Sequence, residues 1–354
     1  MRLRAVALVA ASLFQLIPDR SAHACAPAPR QGEQVRIDEE TAVIVWDEAR
    51  KLEHFIRTAT FATSSTTADF GFLVPTPTQP ELAEVPFTIF AEIEKTIEDR
   101  RPVVTKRQWR FGCMMDLIPP PRATSVPPVR VLEQKVVAGY DAAVLEADSA
   151  TALAHWLAEN QYGNRPELGA WLEPYVSAHW KVTAFRFRPS GAARFPSGAV
   201  RMSFQTERPF FPYREPADAG AAGERRLRVH LVAARKMQGT LGDGAKPWAA
   251  GVEYADAWPG ASALLGAIVP EGALPAKPWL TSFLDPSTTR APGELFFSPA
   301  PDDAPVPPSP RVELEDTWIP VDLFALVVVT GFIVGWRKWR RARRTGTAAP
   351  PRSV

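Results

Sequence analysis

The sequence predicts an α+β protein in which a mixed or antiparallel sheet carries a few packed helices, followed by one C-terminal transmembrane helix. Short β-branched and aromatic runs alternate with polar residues along much of the chain, a pattern typical of half-buried strands. Helical periodicity is confined to a few segments, without the regular alternation of strand and helix that a doubly wound sheet requires. A long apolar stretch near the C-terminus precedes a cluster of cations.

Residues 25–118 are predicted to form a strand-rich half. Residues 41–46 are β-branched and residues 54–63 alternate, so we expect a hairpin between them. A third strand should end near Val74, because the prolines that follow lack backbone donors. Residues 87–100 place apolar side chains on one stripe, which predicts a helix.

A proline-rich crossing over 119–128 separates this half from a second, α+β half over 129–298. Ser149 or Asp148 can cap one helix, and Pro166 can open another. No clear periodicity is visible over 241–300. Strands are predicted over 129–137, 140–145, 180–187, 199–205 and 227–234.

The C-terminal region predicts a stalk and a membrane anchor. Residues 299–316 begin with a run rich in proline, which favours an extended, semi-rigid stalk. Residues 317–336 are predicted to cross the membrane, since the 19 residues from Trp318 to Trp336 would span about 28 Å as a helix. The alternative is a buried core helix, which the adjacent cations disfavour.

The two ends of the chain predict the same topology. Residues 1–24 combine a cationic start, an apolar run and the small residues Ala22 and Ala24, as in a cleaved signal peptide. Lipidation of Cys25 is an alternative, although the residues before it fit that signal poorly. The tail, 337–354, is expected in the cytoplasm and the rest outside it, in a single span across the bacterial inner membrane. The basic residues that set this topology are Arg337, Lys338, Arg340, Arg341, Arg343 and Arg344.

The net charge of +2 conceals an acidic ectodomain, a name we use for residues 25–318. This region contains 31 of the 41 basic residues and 37 of the 39 acidic ones, a net charge of −6. Nucleic-acid binding depends on basic surface, so this balance argues against it. The basic tail is better explained by anionic lipid headgroups.

The only two cysteines, Cys25 and Cys113, both fall in the exported part. We expect a disulfide between them, which would close a loop worth roughly 4 kcal/mol in the entropy model. The alternative is two unpaired thiols. A cysteine-based metal site would need further ligands at short spacing, so no metal is expected.

No catalytic or cofactor signature is found. The mature histidines lack the His-Glu-x-x-His spacing, and the Pro-Ser-Gly turns lack the first glycine of a nucleophile elbow. A phosphate-binding loop and a dinucleotide fingerprint are also absent, so no cofactor is expected. Four carboxylates could in principle form a glycosidase pair, or simply be solvated: Asp47, Glu48, Glu53 and Asp69.

The aromatic residues near a proline-rich turn are candidates for docking a partner. Phe210, Phe211 and Tyr213 lie between prolines, and rigid aromatics of this kind can dock a protein or glycan. The alternative is that they fill the core.

Several segments together resemble a bacterial family catalogued as domain of unknown function 2330. They are FGFLVPTPTQPEL, the block over 139–162, WLEPYV over 171–176, and RMSFQTERPFFPYREP over 201–216. The resemblance covers roughly residues 25–240 and includes the export signal and the C-terminal anchor. It implies architecture and localisation, and no particular activity.

Two functions remain open. The first is a membrane-anchored, non-catalytic module that binds an envelope protein or cell-wall component. The second is an extracytoplasmic hydrolase of glycan or peptide, which would need a deep pocket where titratable groups with shifted pKa values converge.

Overall fold

The computed structural model describes residues 26–29, 33–64, 69–112, 140–163, 165–187, 191–216, 226–242, 246–287 and 290–345. Two compact units divide the chain: the first comprises 1–100 and 135–308, the second 101–134 and 309–354. Several predictions lie outside the described residues. These are the signal peptide, both cysteines and their disulfide, the crossing over 119–128, the strand over 129–137, and the tail beyond residue 345.

The described elements alternate irregularly between strands and helices, as an α+β fold does. In chain order they are β1 Ala26–Ala28, β2 Val35–Asp47, β3 Leu52–Thr63, β4 Phe70–Thr76, β5 Glu81–Val85, α1 Thr88–Glu98, β6 Val103–Gly112, β7 Tyr140–Leu145, α2 Ala150–Glu159, α3 Pro166–Ser177, β8 Lys181–Phe187, β9 Arg194–Pro196, β10 Ala199–Gln205, β11 Phe210–Phe211, β12 Arg226–Ala233, β13 Met237–Leu241, β14 Lys246–Pro247, β15 Gly251–Ala257, α4 Ala261–Leu265, β16 Trp279–Asp285, β17 Leu295–Pro299, β18 Arg311–Pro320 and α5 Val321–Thr345.

The first unit is built on a large sheet with the strand order β15-β16-β12-β2-β3-β10-β5, and β9 pairs with the end of β3. Its neighbours are antiparallel except for β2 and β12, which run parallel. Two four-stranded sheets accompany it, β1-β4-β8-β7 and β11-β17-β13-β14. The two halves predicted from the sequence therefore contribute strands to the same sheet.

Alternation along the strands of the large sheet explains how both of its faces are buried. Ile44 and Phe55 face a core shared with the two smaller sheets, while Val43 and Ile56 face a second core beneath α1 and α4. A third core lies between α2, α3 and the sheet β1-β4-β8-β7. Within the first unit the chain thus forms successive layers of helix and sheet.

Most of the predicted elements in the described ranges are confirmed. The strands at 41–46, 54–63, 140–145 and 199–205 form, as do the helices that Ser149 and Pro166 begin. The mixed, mainly antiparallel α+β class is also confirmed.

Two local predictions were wrong. The strand expected to end near Val74 continues to Thr76. Strand β1 pairs only with Gly71–Leu73, so on that side no backbone hydrogen bond is required from Pro75, which has no N–H group. The region 241–300 contains strands β15, β16 and β17 despite its weak periodicity. Within the range predicted as an extended stalk, 299–316, the strand β18 begins at Arg311.

The second unit, in its described part, contains a parallel strand pair and a long helix. Strands β6 and β18 are paired from Val103 opposite Arg311 to Gly112 opposite Pro320, and α5 follows directly. Within the ranges that the structure describes, no helix combines the length and the apolar content needed to cross a membrane.

Candidate functional site

A network of charged side chains crosses the core on the face of the large sheet that meets the smaller sheets. Glu40 accepts one hydrogen bond from Arg57 Nη2 at 2.5 Å and another from Arg290 Nη2 at 3.2 Å. Arg290 Nη1 lies 3.5 Å from Oε1 of Glu215. Each of the four residues is at most 6% exposed. Buried charges are tolerated when they are paired in this way, and here two cations face two anions.

Two more carboxylates extend the network. The Tyr213 hydroxyl donates to Asp285 Oδ2 at 2.6 Å, and Trp248 Nε1 donates to the same oxygen at 3.2 Å. Glu294 accepts hydrogen bonds from the Tyr175 hydroxyl at 2.5 Å and from the Tyr213 amide at 2.9 Å. Burial raises the pKa of Glu294 despite these donors. Burial opposes the ionisation of Asp285 as well, but its hydrogen bonds outweigh this and lower its pKa.

Glu53 lies on the same face of the sheet and is fully buried. Its Oε2 accepts a hydrogen bond from the Phe210 amide at 2.9 Å, and its Oε1 has no partner among the described residues. Burial raises the pKa of Glu53 well above its ordinary value, more than the hydrogen bond lowers it. The hydrogen bond from Phe210 connects Glu53 to the segment that follows Pro209.

The geometry of the network indicates a structural role. It connects the segment around Tyr213 and the segment around Arg290 to the large sheet. A cavity bordered by Arg57, Tyr140 and Ser197 has a volume of about 10 Å³, room for about one water molecule. No substrate could reach the charged groups through it.

The opposite, helix-covered face carries two similar histidine–serine pairs, one on each side of β2. His54 Nδ1 lies 2.8 Å from Ser203 Oγ, and His230 Nδ1 lies 2.7 Å from Ser282 Oγ. Burial, followed by the charge of Arg201, lowers the pKa of His54 to about 4. Each histidine is directly opposite its serine in the strand register.

The second pair continues to a carboxylate, because His230 Nε2 lies 3.1 Å from Glu94 Oε1 on α1. A serine, a histidine and a carboxylate in a row can form an activated nucleophile. However, Ser282 is 1% exposed and lies on a strand beneath the helical layer, where no substrate can approach it. The array instead attaches α1 to the sheet.

An open groove of about 580 Å³ lies where β2 begins and β3 ends. Pro27, Val35, Ser64 and Ala193 contribute to its walls, next to β1 and β9. The strand ends are held together by hydrogen bonds between Gln34 and Ser64 and between Thr63 and Ala193. The buried groups with shifted pKa values, such as Glu53 and Glu294, lie in the core and not along this groove.

The charges that line the groove are arranged around Asp38. Arg36 Nε lies 2.8 Å from Asp38 Oδ1, and Arg194 Nε lies 3.0 Å from Asp38 Oδ2. Both arginine side chains are more than half exposed, whereas that of Asp38 is 14% exposed. Arg165 is fixed through a hydrogen bond to the Pro27 carbonyl, and Glu33 completes the charged lining.

The residues predicted as sites are distributed as follows. Phe210, Phe211 and Tyr213 are buried, so they fill the core rather than present a docking surface. The carboxylates proposed as a glycosidase pair do not meet at one open cleft, since Asp47 pairs with Arg50 and Glu53 is buried in the network. Over the described ranges, no three His, Cys, Asp or Glu side chains converge to hold a metal ion. Arg337, Lys338, Arg340, Arg341 and Arg343 extend α5.

Sequence reasoning missed both the buried network and the groove. One signal for the network was present, because Glu53 and Arg57 occupy the same strand face as Phe55 and Phe61, a face expected to be apolar. The groove has no comparable signal, since its walls come from segments that are far apart in the sequence.

The fold and these sites define a class of protein: a layered α+β domain with a buried structural polar network and an open, charged groove. The comparison with known families then places the chain more closely. The family described as an uncharacterized protein conserved in bacteria, DUF2330, matches residues 20–272. Because this is more than half of the chain, the protein belongs to that family. No curated protein matches the chain.

Solved structures that contain baculovirus P35 show weak similarity to the chain. The crystal structure of baculovirus P35 has a TM-score of 0.40 at 6% identity, covering 75% of this chain and 98% of its own. A mutated baculovirus P35 after caspase cleavage has a TM-score of 0.34 at 7% identity, covering 75% and 100%. The crystal structure of the caspase-8/P35 complex has a TM-score of 0.32 at 7% identity, covering 73% of this chain and 92% of its own. Similarity at this level carries no argument about function.

Proposed function

We propose that the protein is an extracytoplasmic, membrane-tethered module of the bacterial cell envelope that binds a partner in its groove without chemical turnover. The observation that carries the proposal is the groove itself, which is open, has a volume of about 580 Å³ and is lined by exposed arginines fixed on a carboxylate. A concave surface with a few fixed polar groups is the usual form of a binding site.

The chemistry of the groove favours binding over catalysis. A hydrolase needs a nucleophile or a pair of acid and base groups within reach of a bound substrate. The described groups with the most perturbed pKa values are instead buried, and they pair with the backbone or with one another. In the serine–histidine–carboxylate array, the serine and the histidine are likewise buried.

Export and tethering rest on the two terminal segments of the sequence. The cationic and apolar start ends in small residues, as in a signal peptide. Helix α5 carries exposed Val327, Val328 and Val329 at consecutive positions. Consecutive residues lie about 100° apart around a helix, so these three valines face more than one side of α5, which supports apolar surroundings for it.

Photocrosslinking in intact bacteria tests the binding role. A photoreactive amino acid would replace Ala193, which is exposed beside the groove. The matched control replaces Ala91, an exposed alanine on α1 outside the groove. We expect a discrete adduct from position 193 and none of that size from position 91. Identical adducts from both positions, or none from position 193, would contradict the proposal.

A further inference from the structure

We infer that the groove binds the carboxylates of an acidic, extended peptide segment of the partner. This inference rests on the proposed binding function and adds the chemistry of the ligand. It is argued from the orientation of two arginines, from the charge of the groove relative to the ectodomain, and from the shape of its walls.

The two arginines are held in a way that leaves their outer nitrogens available. Both contact Asp38 through Nε, Arg36 on Oδ1 and Arg194 on Oδ2. Within the described residues the Nη atoms of Arg36 make no hydrogen bond, and Arg194 Nη2 has only Glu39 Oε1 at 3.9 Å. A guanidinium group fixed at Nε can still offer donors to a carboxylate, and its planar form suits that geometry.

The charge of the groove is opposite to that of its surroundings. Arg36, Arg165 and Arg194 outnumber Glu33 and Asp38 in the lining, whereas residues 25–318 carry a net charge of −6. An anionic segment would therefore meet a lining with more cations than anions, on a region that is negative overall. Complementarity of this kind directs a ligand to one place on a protein.

The walls suit a peptide chain. Pro27, Pro29, Val35, Ala62 and Ala193 are small or rigid apolar residues that line the groove without filling it. An extended chain with acidic side chains alternating with small ones could place its carboxylates at the arginines and its small side chains against these walls, because alternate residues of an extended chain point to opposite sides.

The test is a binding titration of the purified full chain in detergent, with a short fluorescent peptide that alternates aspartate and alanine. The matched peptides carry asparagine or phosphoserine in place of aspartate. Arg36→Gln and Arg194→Gln should each weaken binding about two- to fivefold, the range for one exposed ion pair. Arg235→Gln is the control, since Arg235 is exposed and paired with Asp303 outside the groove.

A further variant tests whether the weaker peptide binding of the arginine variants could result from loss of folding. Glu33→Gln removes a negative charge from the lining, so it should strengthen binding, and all binding should weaken as salt rises. Equal binding of the aspartate and asparagine peptides would overturn the inference, as would a preference of tenfold or more for phosphoserine. If these peptides fail while Ala193 still yields its specific adduct in cells, the inference falls and the proposed function stands.

Discussion

Glu53 shows how a single buried side chain can make folding depend on pH. Its carboxyl group is enclosed between the sheets and accepts one backbone hydrogen bond, from Phe210. Burial raises its pKa above the ordinary value of 4.5, so the folded chain holds this proton more tightly than the unfolded chain does. The stability that the proton confers is complete below pH 4.5 and is lost as the pH rises toward the folded pKa.

Glu53→Gln should therefore stabilise the protein more as the pH rises. The amide oxygen of glutamine can still accept the Phe210 hydrogen bond, and it requires no proton. We expect a gain of about 1–3 kcal/mol in the free energy of unfolding at pH 8, the usual scale for a buried polar change, and a smaller difference at pH 5. Urea unfolding at both pH values measures it.

Glu92→Gln serves as the control, because Glu92 is exposed on α1. The free energy of unfolding of Glu92→Gln should match that of the wild type at both pH values. If the free energy of unfolding of Glu53→Gln runs parallel to that of the wild type from pH 5 to pH 8, Glu53 is not protonated in the folded protein.

At the scale of residues, the sequence predicted Glu53 as a catalytic or a solvated carboxylate and did not predict that it would be buried. Strand alternation places Glu53 and Arg57 on the face of β3 that packs against the core. Their partners, Phe210 and Glu40, come from other strands, and Arg290 reaches Glu40 from 250 positions away. Local patterns do not contain such pairings.

At the scale of elements, the segments that carry their own signals were predictable. Ser149 accepts a hydrogen bond from Ala152 at 3.1 Å and begins α2, and Pro166 occupies the start of α3. Strands such as β16 were missed, because they are stabilised by neighbours on both sides and need no strong pattern of their own.

Helix α1 is attached to the large sheet by an apolar stripe and by Glu94. Ile89, Phe90 and Ile93 enter the core, while Glu94 pairs with His230 at 3.1 Å and with Arg228 at 3.0 Å. Burial opposes the ionisation of Glu94, but the hydrogen bond from His230 and the charge of Arg228 outweigh it and lower its pKa. A lowered pKa gives stability that is present above the unfolded value of 4.5 and is lost as the pH falls.

Glu94→Gln should accordingly destabilise the protein at pH 7 and have a smaller effect at pH 3.5, the opposite trend to Glu53→Gln. The loss should stay below about 1 kcal/mol, since the Glu94 side chain is 41% exposed and solvent screens the pair. Urea unfolding measures it, with Glu92→Gln again as the control on the same helix. A loss of equal size at both pH values would show that the charge of Glu94 is not what matters.

At the scale of the whole molecule, charge and hydropathy are strongly segregated along the chain. Residues 25–318 are acidic, and α5 carries an apolar stretch followed by clustered cations. Two of these cations stack on tryptophans, Arg340 over Trp336 at 4.1 Å and Arg343 over Trp339 at 4.0 Å. Amphipathic rings next to arginines are typical of a boundary between hydrocarbon and headgroups.

This segregation predicts how the full chain behaves in bacterial cells. The wild-type protein should remain in the membrane pellet after alkaline extraction. Val328→Arg combined with Phe332→Arg should move it to the soluble fraction, because each charge near the centre of an inserted helix costs about 2.5–3.5 kcal/mol. Trp339→Arg is the matched control, since it also replaces an exposed apolar residue of α5, but among the cations. Extraction of the wild type by alkali, or retention of the double variant, would show that α5 does not hold the protein in the membrane.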